Sequence, residues 1–402
     1  MAHQAHNIPW TLLASNLKYS PPSPSNVTNL YPRMQPHQGK VITFFINAFA
    51  RNIKEHSICE RWKYPEHYDR PASTATIVDE KTVARIAPTV RRVKKILEGN
   101  AGCRELDENY TASLFLTAYY YTPCYSFLNS QSQGFFNLQI VETLLLYGEM
   151  DTILRGCAHP DVAIKGWWNA QECPCGGYEV GWELIYRKAL TAYLCLNLLY
   201  CFPELWDSAS STGAEKNDYR DTRLYQYMLR SCTGDHGKTD LMTLPHREFL
   251  GIPDDYWNSR AFFVKNEAYW LSASPHTDKY GFANEDPGLY GLAPFAQFLS
   301  LERPTALDIM ELAEYKAKRR LKVEHDPLHP ENREELGKYL KFCWQILVRC
   351  DMMAGEIGLE IPWYDLIAEC LVKMLNYKGC KLEGRWFRKQ QHEDYTWTYI
   401  FL

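Results

Sequence analysis

The residues of this chain best suited to chemistry are two closely spaced pairs, Cys157-Ala-His159 and Cys173-Pro-Cys175. Thiolate and imidazole nitrogen suit zinc, and four such donors close a tetrahedral structural site. Paired zinc ligands usually stand about two to four residues apart, whereas a single residue separates each pair here. That spacing favours ordinary loop residues beside Trp167 and Trp168. A reactive or disulfide-forming pair at Cys173 and Cys175 is the other reading. Asn217-Asp218-Tyr219-Arg220-Asp221 sets carboxylates close together, as a magnesium site needs. A second acidic motif is missing, and Arg220 and Arg223 are placed to pair with these acids locally. Asp254-Asp255 follows Pro253 and reads as a turn or helix cap. His246 with Glu248, and His276 with Asp278, are short-range pairs of the kind surface loops carry. There is no nucleophile elbow, phosphate-binding loop or dinucleotide glycine pattern. With no partnering nucleophile, no triad is argued. Neither catalysis nor a cofactor is expected.

The elements that must hold these residues are mostly helices. Residues 1–38 read as an extended N-terminal arm, because Pro9, Pro21, Pro22, Pro24, Pro32 and Pro36 interrupt backbone bonding while Trp10 and Tyr31 offer anchors. Residues 39–202 read as the first part of a helical domain. Val41, Phe44, Phe45, Ala48 and Phe49 recur at helical spacing, and further helices are expected from Pro88 to Gly99 and over 107–121, 136–154 and 180–201. The last of these is apolar on nearly every side and belongs in the core. Residues 203–300, punctuated by glycine, proline and serine, read as a loop-rich inserted domain that protrudes, with short strands at 261–264 and 268–272. Residues 301–402 read as the second helical part and a C-terminal tail. Pro330 and Pro362 open helices there, and Gly355 stops one. The fold class is mainly α: a helical shell-type domain with a loop-rich α+β insertion in the middle of the chain.

Composition is that of an ordinary globular protein in charge but not in rings. The net charge of −4 gives no global attraction for nucleic acid, whereas aromatic residues reach 14%, with 27 Tyr, 17 Phe and 12 Trp. Interfaces use Tyr and Trp heavily, so Trp10, Tyr31, Trp257, Trp270, Trp386, Trp397 and Tyr399 are interface candidates. Core positions are the alternative for each. Arg85, Arg91, Arg92 and Lys95 form a basic cluster that either faces solvent or touches phosphates. The first residues lack the basic start and apolar run of a signal peptide, and no stretch is apolar enough to span a bilayer. The 13 cysteines follow no framework pattern and fit buried thiols in a reducing compartment.

Two resemblances bear on function. Glu324-His325-Asp326, taken with Pro174-Cys175, is similar to a pattern in fungal haem peroxygenases. In that family the haem cysteine lies near the N-terminus in Pro-Cys-Pro, whereas Gly176 stands here for the second proline, so the likeness is set aside. As a whole, the Pro-punctuated arm running into Val41-Ile-Thr-Phe-Phe-Ile-Asn-Ala-Phe49, the helical outer thirds and the aromatic abundance resemble partitivirus capsid proteins. That resemblance implies a structural protein enclosing a double-stranded RNA genome. It implies homodimers that build an icosahedral shell of about 120 subunits, with viral RNA and polymerase as partners, no membrane, and a location in the virion and host cytoplasm. The competing readings are an all-helical metal-dependent enzyme with an unrecognised active site, with His159, Cys173 and Cys175 as its metal ligands, and a cytosolic scaffold.

Overall fold

The computed structural model describes residues 7–21, 28–33, 38–70, 81–82, 84, 141–158, 164–168, 171–172, 179–207, 209, 217–233, 244–250, 321–323, 326–375, 387–391 and 397–401. Among them the chain is mainly helical, as its apolar periodicity predicts.

The N-terminal residues are tied down rather than extended. Helix α1 (Trp10–Ser15) leads into strand β1 (Leu17–Ser20), which pairs antiparallel with β2 (Asn29–Pro32) from Leu17↔Pro32 to Ser20↔Asn29. Pro9 precedes α1 and Pro32 closes β2, so these two prolines sit where a missing N–H costs least. Helix α2 (Gln38–Arg61) follows. Trp10, Leu13, Leu17 and Leu30 are buried in the same apolar cluster as Phe45 and Phe49 of α2. The arm reading is corrected accordingly: the anchors among these residues find partners inside their own chain.

Residues 141–147 are helical and stop at Gly148, whose φ of 80° puts it in the left-handed region. A Cβ there would lie 2.6 Å from the Arg349 guanidinium, so that side chain would have to shift. That guanidinium donates to the Leu145 carbonyl at 3.0 Å and so caps the helix end. Helix α3 (Met150–Cys157) resumes at once. Strands β3 (Gln171–Glu172) and β4 (Glu179–Val180) pair antiparallel ahead of helix α4 (Trp182–Tyr200). As its composition predicts, α4 is buried at every position from Ala189 to Leu199.

Two helices fall in the first part of the expected loop-rich insertion, at 223–233 and 244–250. Helix α5 (Arg223–Thr233) packs against α4, and α6 (Leu244–Leu250) packs on α5. Leu224, Tyr225, Met228, Leu229 and Cys232 are buried at helical spacing. That stripe sits among arginines and glutamines between glycine-bearing stretches. The strands expected at 261–264 and 268–272, and the helices expected at 88–99 and 107–121, lie outside the described residues.

Helices α7 (Arg333–Glu356) and α8 (Trp363–Leu375) close the frame. A one-turn 3-10 segment opens at Pro330, and Pro362 precedes α8, in keeping with the sequence reading. Helix α7 packs on α4 and α2, and α8 packs on α5, α2 and α4. The tail forms a hairpin of β5 (Phe387–Gln391) and β6 (Trp397–Phe401), with β6 lying against α2 and α8.

One buried acid joins three of these helices. Asp351 of α7 is 7% exposed and accepts from Trp363 Nε1 of α8 at 2.7 Å, while Lys54 Nζ of α2 lies 3.0 Å away. Asp351→Ala leaves the indole N–H without its acceptor and is expected to cost about 3 kcal/mol. Asp351→Asn keeps an oxygen for that bond and loses only the charge facing Lys54, for about 1 kcal/mol. Urea unfolding of both variants measures the difference, and equal losses would show that the indole bond contributes nothing.

Candidate functional site

The thiol reading finds no support at the one member of its set that is described. Cys157 ends α3 and is half-buried. Burial, reinforced by the charge of Glu356, pushes its thiol up to about 12. His159, Cys173 and Cys175 lie outside the described residues. Among the described residues, no group of three or more His, Cys, Asp or Glu is placed to hold a metal ion. Cys195, Cys232, Cys343, Cys350 and Cys370 are buried, and burial raises each thiol above its ordinary range. They are neutral at physiological pH and act as small core residues.

The carboxylate segment is the most structured polar group of the described chain. Tyr19 of β1 donates to Asn217 Oδ1 at 3.3 Å, which fixes the hairpin against the segment. Asp218 accepts from the Arg220 backbone N–H at 2.9 Å and from its guanidinium at 2.9 and 2.5 Å. The local pairing read from the sequence is therefore present for Arg220, and Asp218 is committed to it. Tyr219, 1% exposed, stands edge-on to Tyr225 at 5.1 Å and donates to Asp326 Oδ1 at 2.6 Å. Its oxygen also accepts from Leu328 N–H at 3.3 Å. The structure thus joins the 217–221 segment to Asp326, the last residue of the Glu-His-Asp tripeptide. Asn332, fully buried, holds that second loop by donating to the carbonyls of Val323 and Asp326 at 2.7 Å.

Asp221 is the exception within this cluster. One of its carboxylate oxygens is buried with no hydrogen-bond partner. Burial first, and the neighbouring charge of Asp218 second, push its carboxyl up to about 7, against the opposing pull of Arg220. A carboxyl of this kind can carry a proton at neutral pH. A raised folded pKa means the native state holds a proton that the unfolded chain has released, so stability declines as pH rises from near 3.8 through about 7. Asp221→Asn is expected to remove that decline, read as the urea midpoint followed across the same pH range. A slope unchanged in the variant would assign the titration elsewhere.

The second buried polar pair was not legible in the sequence. His246 is 3% exposed on α6, and its Nδ1 lies 2.5 Å from the Tyr339 hydroxyl of α7. The surface pairing with Glu248 is corrected: the imidazole is interior. Burial, with a smaller push from Lys188, lowers its pKa to about 3. It is therefore neutral, and its stabilising effect is lost as pH falls below the ordinary imidazole range toward 3. Tyr339 also stacks on Phe249 with ring centroids 3.8 Å apart.

The aromatic candidates divide by position. Trp10 is 3% and Tyr31 8% exposed, so both are core residues and not surface anchors. Trp397 and Tyr399 stand in β6, opposite Gln391 and Lys389. Trp257, Trp270 and Trp386 lie outside the described residues, as do Arg85, Arg91, Arg92 and Lys95.

These observations describe a helical protein whose described ionisable groups serve mainly to tie its elements together. The chain belongs to the family of the gramillins biosynthetic cluster protein GRA5, whose model matches residues 11–386. No curated protein and no solved structure matches it. Membership in that family overturns the partitivirus resemblance and what it implied: the capsid role, the icosahedral shell of homodimers, the RNA and polymerase partners, and residence in a virion and host cytoplasm. The physical reason for the error lies in the rings. Trp10 and Tyr31, the interface candidates whose burial is described, are packed within their own chain, as are Trp182, Trp344 and Trp363. Among the described residues, no helix is long and apolar enough to cross a membrane.

Proposed function

We propose that this protein serves the biosynthesis of a gramillin-type metabolite, as a binding or assembly component that does not itself make or break bonds. The observation that carries the reading is the family match along nearly the whole chain, residues 11–386. The non-catalytic half draws on how the described groups are used. Asp218 faces Arg220, Asp351 faces Lys54 and Trp363, and Arg187 bridges Glu183 and Glu369, which leaves these charges holding structure. One observation favours a second reading, acid–base chemistry at Asp221, whose carboxyl titrates near neutrality.

Deleting the gene in a producing strain and profiling the product by mass spectrometry tests the first half. Loss of the product, restored by the intact gene, is expected, and unchanged titre ends the proposal. Complementation with Asp221→Asn separates the two readings. Full restoration supports the binding role. A folded variant that restores nothing favours acid–base chemistry.

A further inference from the structure

Helix α2 buries Ile42, Phe45, Ile46, Phe49 and Ile53 against its neighbours but leaves one face outward. That face carries Phe44, Asn47, Arg51, Glu55, Ile58 and Trp62, three or four residues apart and so aligned along one side. Phe44 is 57%, Ile58 54% and Trp62 77% exposed. Trp62 stands one residue past the helix, with its N–H still bonded to the Ile58 carbonyl at 3.3 Å. A solvated helix face is polar along its length. This one is apolar at both ends and charged in the middle. Arg51 and Glu55 have the spacing of an intrahelical ion pair, yet among the described residues neither is in a salt bridge.

Laid antiparallel on a second copy of itself, this face sets ring against ring and cation against anion. We propose that it binds the same face of a second copy, antiparallel, about a two-fold axis passing midway between Arg51 and Glu55. In that register Phe44 lies on Trp62 of the second copy, and Arg51 faces Glu55 of the second copy. Each contact occurs twice. Asn47 lies on the flank that carries Ile58 of the second copy, one residue apart in height. The face thereby covers its large apolar side chains and pairs both of its middle charges, which is the self-complementarity an isologous interface requires. Such a contact uses one face on each copy, so it closes at two and cannot propagate. A single helix pair about 36 Å long is small beside a standard interface of about 1,600 Å². The association is therefore weak and set by concentration. It stands whether or not the biosynthetic reading holds.

Sedimentation velocity from about 1 to 200 μM tests the proposal, because that range brackets a micromolar pair. The mass is expected to double toward the upper end. Arg51→Glu and Glu55→Arg each place like charges across the axis twice and should weaken association by at least about tenfold. The double variant restores opposite charges and should return to within about threefold of the parent. In a Cys59→Ser background, Asn47→Cys combined with Ile58→Cys should form a covalent dimer when copper–phenanthroline is added to accept the two electrons. Asn47→Cys or Ile58→Cys alone in that background should not. All these positions are exposed, and circular dichroism confirms that each variant folds. A monomer throughout the range, assembly beyond two, no rescue in the charge-swapped double variant, or no cross-link in the Asn47→Cys, Ile58→Cys variant overturns the proposal.

Discussion

Replacing Asn29 with alanine is expected to remove about 3–4 kcal/mol of folding free energy, roughly a third of what a typical domain has. Asn29 is fully buried in β2, and its amide reaches two helix ends at once. Its Nδ2 donates to the Met374 carbonyl in the last turn of α8 at 3.1 Å. Its Oδ1 accepts from the Leu224 N–H in the first turn of α5 at 3.0 Å. Helix ends leave such groups unsatisfied unless something outside the helix meets them. Here one side chain meets a donor and an acceptor, and alanine strands both out of reach of water. Asn29→Asp keeps the acceptor for Leu224 but turns a carboxylate toward the Met374 carbonyl, so it should rescue little. Urea unfolding gives the number directly. A loss under about 1 kcal/mol for Asn29→Ala would mean that water replaces the amide at both ends.

Trp10→Ala is expected to cost about 3–5 kcal/mol, as large-to-small changes at buried aromatics do. The indole stands edge-on to Phe45 at 5.3 Å, Phe49 at 5.8 Å and Tyr193 at 5.8 Å, so it links α1 to α2 and α4. Trp344 of α7 extends the cluster through Phe49 and Tyr193. Trp344 Nε1 donates to His56 Nδ1 at 2.8 Å, whereas Trp10 Nε1 is buried with no hydrogen-bond partner. Trp10→Phe therefore gives up ring area without breaking a bond, and should cost less than half as much as alanine. The unfolding midpoint of Trp10→Ala should drop equally at every protein concentration. A drop confined to dilute samples would return Trp10 to the interface role that its sequence position suggested.

The helical frame was legible because periodicity is local. Phe45 and Phe49 on α2, and Leu336, Leu340, Cys343 and Leu347 on α7, announce their buried faces within a few turns. Helix α4 announces its burial by lacking a polar face. The ties between elements were not legible. Asn29 follows Asn26-Val-Thr28 in a proline-rich stretch and has the appearance of a solvated loop residue. His246 was matched to Glu248 because both are nearby in the chain, yet its partner Tyr339 is 93 residues away. At the candidate site, the Asp218–Arg220 pairing follows from spacing alone. The near-neutral carboxyl of Asp221 depends on burial, which no spacing reveals. The aromatic surplus misled for a similar reason. Ring content alone does not distinguish a core from an interface, and the described rings mostly chose the core.

Helix α2 also bears on how the chain comes off the ribosome. Its inner face rests on α7, α8 and β6, all drawn from residues 333 onward. Synthesis at about 10 residues per second delivers those partners on the order of half a minute after α2 has emerged. Of the described elements, only α1 shields Phe45, Phe49 and Ile53 in the first part of that interval, until Tyr193 of α4 reaches Phe49. The early part of this polypeptide is thus an aggregation hazard during its own translation, and its yield in a heterologous host should respond more to chaperone supply and slower, cooler synthesis than to any change at the mature surface.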